Sequence, residues 1–126
     1  MEKNDTLDKT YYLKEGKQWL SVLNDLRTEN IQINESLSEA VSQEVSFQFV
    51  DRAEGFQQLF VDKDQVIDLL RYEIIMLLSR LSSGEMTVAD ERQCVILEKD
   101  MEQFVLEFQQ MKLSFSSFVS TGNPFS

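Results

Sequence analysis

Two pairs of carboxylates, Asp64 with Asp68 and Glu98 with Glu102, stand four residues apart, a spacing that puts both members on one face of a helix. Carboxylates so placed could coordinate a magnesium ion and, through it, a phosphate. Cys94 is the single thiol of the chain and would be a nucleophile if its surroundings favoured the thiolate. The inventory around these residues is thin. The chain has no histidine, which removes Ser-His-Asp and Cys-His catalysis, imidazole-ligated zinc, and the Glu-x-x-His di-iron sites of ferritin-like bundles. Its four glycines, Gly16, Gly55, Gly84 and Gly122, are isolated from one another, so no glycine-rich phosphate loop exists.

The neighbours of the remaining candidates point away from catalysis. Lys63 and Arg71 flank Asp64 and Asp68, and Lys99 follows Glu98, the composition of solvated helix faces with charge pairing. Cys94 is in line with Leu97 and Met101, where a cysteine acts as a small hydrophobe. No catalytic, cofactor-binding or metal-ligating residue is therefore assigned, no cofactor is expected, and the chain reads as non-enzymatic. The alternative is a magnesium-dependent hydrolase of nucleotides, using acidic residues at helical spacing as all-α nucleotide pyrophosphohydrolases do.

Three segments that must position these residues carry a seven-residue apolar repeat, the mark of amphipathic helices packed in coiled-coil fashion. In the first, expected from about Lys9 to Gln48, one column reads Tyr12, Trp19, Leu26, Ile33, Ala40, Phe47. The neighbouring column reads Gly16, Leu23, Asn30, Leu37, Glu44. The second column is interrupted by glycine and polar residues, so this is the helix expected to bend or split, near residues 28–34. Asp51 with Glu54 resembles a capping box and predicts the start of a second helix. Its stripe reads Phe56, Phe60, Lys63, Ile67, Leu70, Ile74, Leu77, Leu81, widened by Leu59, Val66 and Leu78, and it should stop at Ser82-Ser83-Gly84 on a left-handed glycine. Thr87 predicts the N-cap of a third helix with Asp90 and Glu91 in its first turn. That helix has the cleanest seam, Cys94, Leu97, Met101, Phe104, Phe108, Met111, Phe115, Phe118, with Val105 and Val119 beside it, and should end near Ser120.

Short connections force neighbouring helices to run antiparallel. The expected fold is all-α, an antiparallel bundle of three long helices, or of four if the first is broken. At 126 residues the chain fits one domain, with frayed ends at 1–8 and 121–126. Antiparallel pairing brings Phe56 and Phe60 beside the end of the third helix, so the phenylalanines should gather at one end of the bundle. Most of these residues belong to a core. Any part of the seams left uncovered would be an interface, and the candidate interface residues are Trp19, Leu26, Asn30 and Ile33 on the first helix with Phe104, Phe108, Phe115 and Phe118 on the third. Asn30, between Leu23 and Leu37, is expected to set packing register if it is buried.

The formal charge of −10 is spread along the chain with no Lys/Arg cluster, which argues against nucleic acid and against an anionic membrane surface. The stretch Leu69 to Leu81 is interrupted by Arg71, Tyr72, Glu73 and Ser79 and is too short to span a bilayer. Met1 to Thr10 lacks the apolar run of a secretory signal, and the lone cysteine suits a reducing compartment, so a cytoplasmic location is expected. These features predict a helical-bundle interaction or scaffold module whose partner is another protein or a second copy, as a homodimer.

Overall fold

The computed structural model describes residues 2–43 and 46–122 and consists of three helices: α1 (Glu2–Ser42), α2 (Phe47–Ser83) and α3 (Val88–Gly122). All three pack on one another, and no strand occurs among the described residues. Residue numbers rise along α1 as they fall along α2: Lys9 reaches Gly84, Gly16 abuts Leu78, Arg27 meets Asp64 and Asp68, and Asn30 meets Phe60. These helices are antiparallel. Tyr11 to Glu98 and Glu29 to Lys112 set α3 parallel to α1, giving the expected up-down-up order. At 41 residues, α1 is about 60 Å long and stays continuous through residues 28–34, so the bundle has three helices rather than four.

The first helix gap departs from the sequence expectation. α2 begins at Phe47 with Ser46 as its N-cap, the serine hydroxyl accepting from Phe49 N at 3.1 Å; Asp51 and Glu54 lie inside the helix and exposed. Both Ser46 and Asp51 have capping chemistry. The earlier start wins because it carries Phe49 and Ala53 into the core one heptad sooner, where Phe49 stacks on Phe118 with ring centroids 4.6 Å apart. α1 accordingly ends at Ser42, short of Gln48, and Phe47 is 81% exposed instead of completing the α1 seam. Glu44, expected at a seam position, lies outside the described residues, as does the tail from residue 123 onward.

The second gap follows expectation more closely. α2 stops at Ser83, but Gly84 is extended (φ −170°, ψ −164°) rather than left-handed, and its carbonyl accepts from Lys9 Nζ at 2.6 Å. Thr87 caps α3 in a reciprocal box: its hydroxyl accepts from Asp90 N at 3.0 Å, and the Asp90 carboxylate accepts from Thr87 N at 3.2 Å. Arg80 donates to the other Asp90 oxygen at 3.1 Å, tying the end of α2 to the start of α3. Asp90 is buried yet fully paired, and the Thr87 amide and Arg80 hold its carboxyl below the ordinary range despite the opposing effect of burial.

The core is continuous along the bundle. All eight seam residues of α3 are buried, as is the α2 stripe from Phe60 to Leu81, except that Lys63 directs its ammonium toward the Phe104 ring and Glu107. On α1 the burial inverts the ranking that apolar content suggests. The interrupted column is the central one: Gly16, Leu23, Asn30 and Leu37 are buried. Tyr12, Ile33 and Ala40 of the uniformly apolar column are only partly so. Gly16 allows the closest approach, since a Cβ there would lie 2.6 Å from Leu78 Cδ2 and 3.1 Å from its Cγ.

Candidate functional site

Three of the four carboxylates that could have carried chemistry are engaged. Arg27 on α1 pairs with both Asp64, at 3.4 Å, and Asp68 across the α1–α2 junction, and Arg71 on α2 donates to the Asn24 side chain. Arg27 thus offsets the charge of this pair. Glu98 accepts from the Tyr11 hydroxyl at 3.1 Å, which together with burial and nearby carboxylates raises the phenol, while Glu102 is exposed. Among the described residues no three acidic or thiol side chains are grouped closely enough to hold a metal. Cys94 is fully buried, and burial with the neighbouring Asp90 and Glu91 pushes its thiol up to about 11, leaving almost no thiolate near neutrality.

Between α1 and α2 a cleft of about 550 Å³ is lined by Arg27, Asn30, Asn34, Asp64, Gln65 and Asp68, among others. Asn30 is its buried anchor, 5% exposed, with Nδ2 donating to the Phe60 carbonyl at 2.9 Å. Its Oδ1 has no protein hydrogen-bond partner among the described residues. The Phe60 oxygen can only accept, so it dictates which way the amide points. Asn30 is therefore a seam residue that finds its partner within the chain, on the α2 backbone.

The other candidate interface residues sit in the same interior. Trp19 and Leu26 on α1 and Phe104, Phe108, Phe115 and Phe118 on α3 are buried inside the bundle, and Ile33 is half-buried. The expected aromatic group does form at one end: Phe56 contacts Phe115 and Phe118 with centroids at 5.6 and 4.9 Å, and Phe60 contacts Phe115 at 5.4 Å. The Arg52 guanidinium lies 4.8 Å from the Phe118 ring centre, closing this end with a cation–π contact.

Apolar surface lies instead on the outward faces. Leu69, Tyr72, Ile75 and Met76 are all exposed on α2, Tyr72 at 64%, and their spacing of three, four and seven residues makes them one strip. On α3, Leu106 and Leu113 are 53% and 72% exposed. The heptad register that buries Ile67, Leu70, Ile74 and Leu77 already puts these side chains on the opposite face. That signal is in the sequence but is masked by the core stripe, because α2 is apolar nearly all round over residues 66–78. No helix among the described residues is long and apolar enough to cross a membrane. In comparison with known proteins, the chain matches no family model, no curated protein and no solved structure.

Proposed function

We propose that this protein is a non-enzymatic interaction module whose rigid bundle presents the outward strip of α2, Leu69, Tyr72, Ile75 and Met76, to a protein partner. The observation that carries the reading is the exposure of those four large apolar residues side by side on a helix whose inner face is already fully packed. Scattered exposed hydrophobics are ordinary, but a contiguous strip with an aromatic at its centre has the composition of an interface core. The excess of acidic residues over the whole chain favours a neutral or basic partner by electrostatic complementarity. The paired carboxylates, the inert buried thiol and the absence of histidine support the non-enzymatic side. The buried, unpaired Cys94 is also suited to a reducing, cytoplasmic compartment.

The test is a comparison of proteins co-purified with the wild type and with a Leu69→Glu/Tyr72→Glu double variant, quantified by mass spectrometry. Both positions are exposed, so circular dichroism should report an unchanged fold. A protein that is enriched with the wild type, lost with the variant and recovers the wild type in the reciprocal purification supports the reading. Identical profiles for the two forms overturn it.

A further inference from the structure

The outward face of α3 is uncharged along its C-terminal half. From Gln103 to Thr121 the only charged residues are Glu107 and Lys112, and both are drawn off the outer face toward neighbouring helices. Glu107 pairs with Lys63 of α2 at 3.4 Å and also accepts from Gln103 at 2.9 Å; Lys112 pairs with Glu29 of α1 at 3.0 Å. What remains pointing outward is uncharged: Leu106, Gln109, Gln110, Leu113 and Ser116, all exposed. For a chain of net charge −10, any approach of a second copy is opposed by long-range repulsion. On this face close contact adds no like-charge pair.

The pattern is also self-complementary. Leu106 and Leu113 are seven residues apart and share one line along the helix, with Gln109 and Gln110 at the midpoint between them. A two-fold axis through that midpoint, perpendicular to two antiparallel copies of α3, places Leu106 of one against Leu113 of the other, twice. The glutamines at the centre meet their own counterparts, and side-chain amides can donate and accept mutually. In the same register Lys112 of one copy stands level with Glu107 of the other, so neither charge meets its like. A parallel pairing would oppose Lys99 to Lys99 and Glu102 to Glu102. The arrangement is isologous and closes at two copies.

We propose that a second copy of this chain docks antiparallel on the outward face of α3, with Leu106 and Leu113 interlocked about a two-fold axis between Gln109 and Gln110. This surface is separate from the α2 strip, so one dimer presents two partner-binding strips. A single helix face buries less than the roughly 800 Å² per partner of standard interfaces, and the dimer is accordingly weak and concentration-dependent.

Sedimentation equilibrium over a concentration series tests the association. The wild type should shift from monomer toward dimer, and Leu113→Glu should remain monomeric throughout with an unchanged circular dichroism spectrum and melt, because Leu113 loses no burial in the monomer. Cysteine scanning tests the geometry. Gln109→Cys should form a disulfide-linked dimer on mild oxidation, whereas Leu113→Cys should not, since two copies of residue 113 are about 10 Å apart along the helix axis in the antiparallel register. Native Cys94 is buried and leaves the background silent. A wild type that is monomeric at the highest concentration, a Leu113→Glu variant that dimerises like the wild type, or crosslinking at residue 113 as efficient as at 109 each overturns the proposal. The Leu69→Glu/Tyr72→Glu variant should dimerise normally, so loss of the α2 partner and loss of the dimer are separate results.

Discussion

Asn30 shows how one polar side chain is tolerated in an apolar seam. Its Nδ2 finds the Phe60 carbonyl, but Oδ1 is buried without a protein partner among the described residues, and an unsatisfied buried acceptor costs about 1–3 kcal/mol. The Phe60 carbonyl lies within continuous helix, so it does not depend on Asn30 alone. Asn30→Leu, similar in size and fully apolar, should therefore stabilise the bundle by about 1 kcal/mol, read as a rise in melting temperature; an unchanged or lower melt would show that the Asn30–Phe60 bond outweighs the orphaned oxygen. Gly16 makes the opposite case. A side chain there must displace Leu78, and Gly16→Val should destabilise by about 1–3 kcal/mol, the range for overpacked cores, measured by urea denaturation. A neutral result would mean that Leu78 can swing aside and that the helices need not approach so closely.

The helix starts are decided by competition between local caps and long-range packing. Ser46 and Asp51 are both competent caps, and only Ser46 is used. Ser46→Ala should cost about 1 kcal/mol, while Asp51→Ala should stay within about 0.5 kcal/mol as an exposed helical change; the reverse order in chemical denaturation would restore the later start for α2. At α3 the cap doubles as a clasp, because Asp90 serves Thr87 and Arg80 together. Its carboxyl titrates lower in the folded chain than in the unfolded one, so its contribution is present above the unfolded value of 3.8 and is lost as pH falls through the lower folded value. Asp90→Asn should accordingly destabilise the protein at neutral pH and flatten the acid limb of a stability–pH curve as pH falls below the unfolded value of 3.8. An acid limb identical to that of the wild type would remove Asp90 from the account.

For the whole molecule, the net charge of −10 sets up self-repulsion that salt relieves. Sodium chloride should raise the melting temperature at neutral pH, and magnesium at matched ionic strength should do no more than sodium, with or without a nucleoside triphosphate. A specific shift with magnesium and nucleotide would mean that a ligand binds the folded state and would favour the hydrolase alternative over the interaction module. The packing of three long helices leaves the apolar strip on α2 and the uncharged face on α3 pointing in different directions, with Arg52 over the Phe118 ring at the aromatic end of the bundle.

How much of this was legible in the sequence differs element by element. Heptad spacing determined that the chain forms long amphipathic helices and that the α3 seam and the α2 stripe from Phe60 to Leu81 are core, because side-chain direction along a helix follows from backbone period, and short connections then bring Phe56 and Phe60 to Phe115 and Phe118; Leu59 and Val66, expected to widen the α2 stripe, are exposed instead, and the core residues Phe49 and Ala53 lie before its expected start. The Thr87 cap was equally local. Three matters were decided only by the tertiary structure. Ser46 prevailed over Asp51 because Phe49 reaches Phe118 only when α2 starts early. The interrupted column of α1 became its centre because Gly16 admits Leu78 and Asn30 reaches a carbonyl of another helix, neither of which is visible in the composition of α1. The outward leucines of α3 became a charge-free face because Glu107 and Lys112 turn toward Lys63 and Glu29. Periodicity specifies which face of a helix is apolar; which partner covers it, and which charges that partner draws away, depends on contacts between residues far apart in the chain.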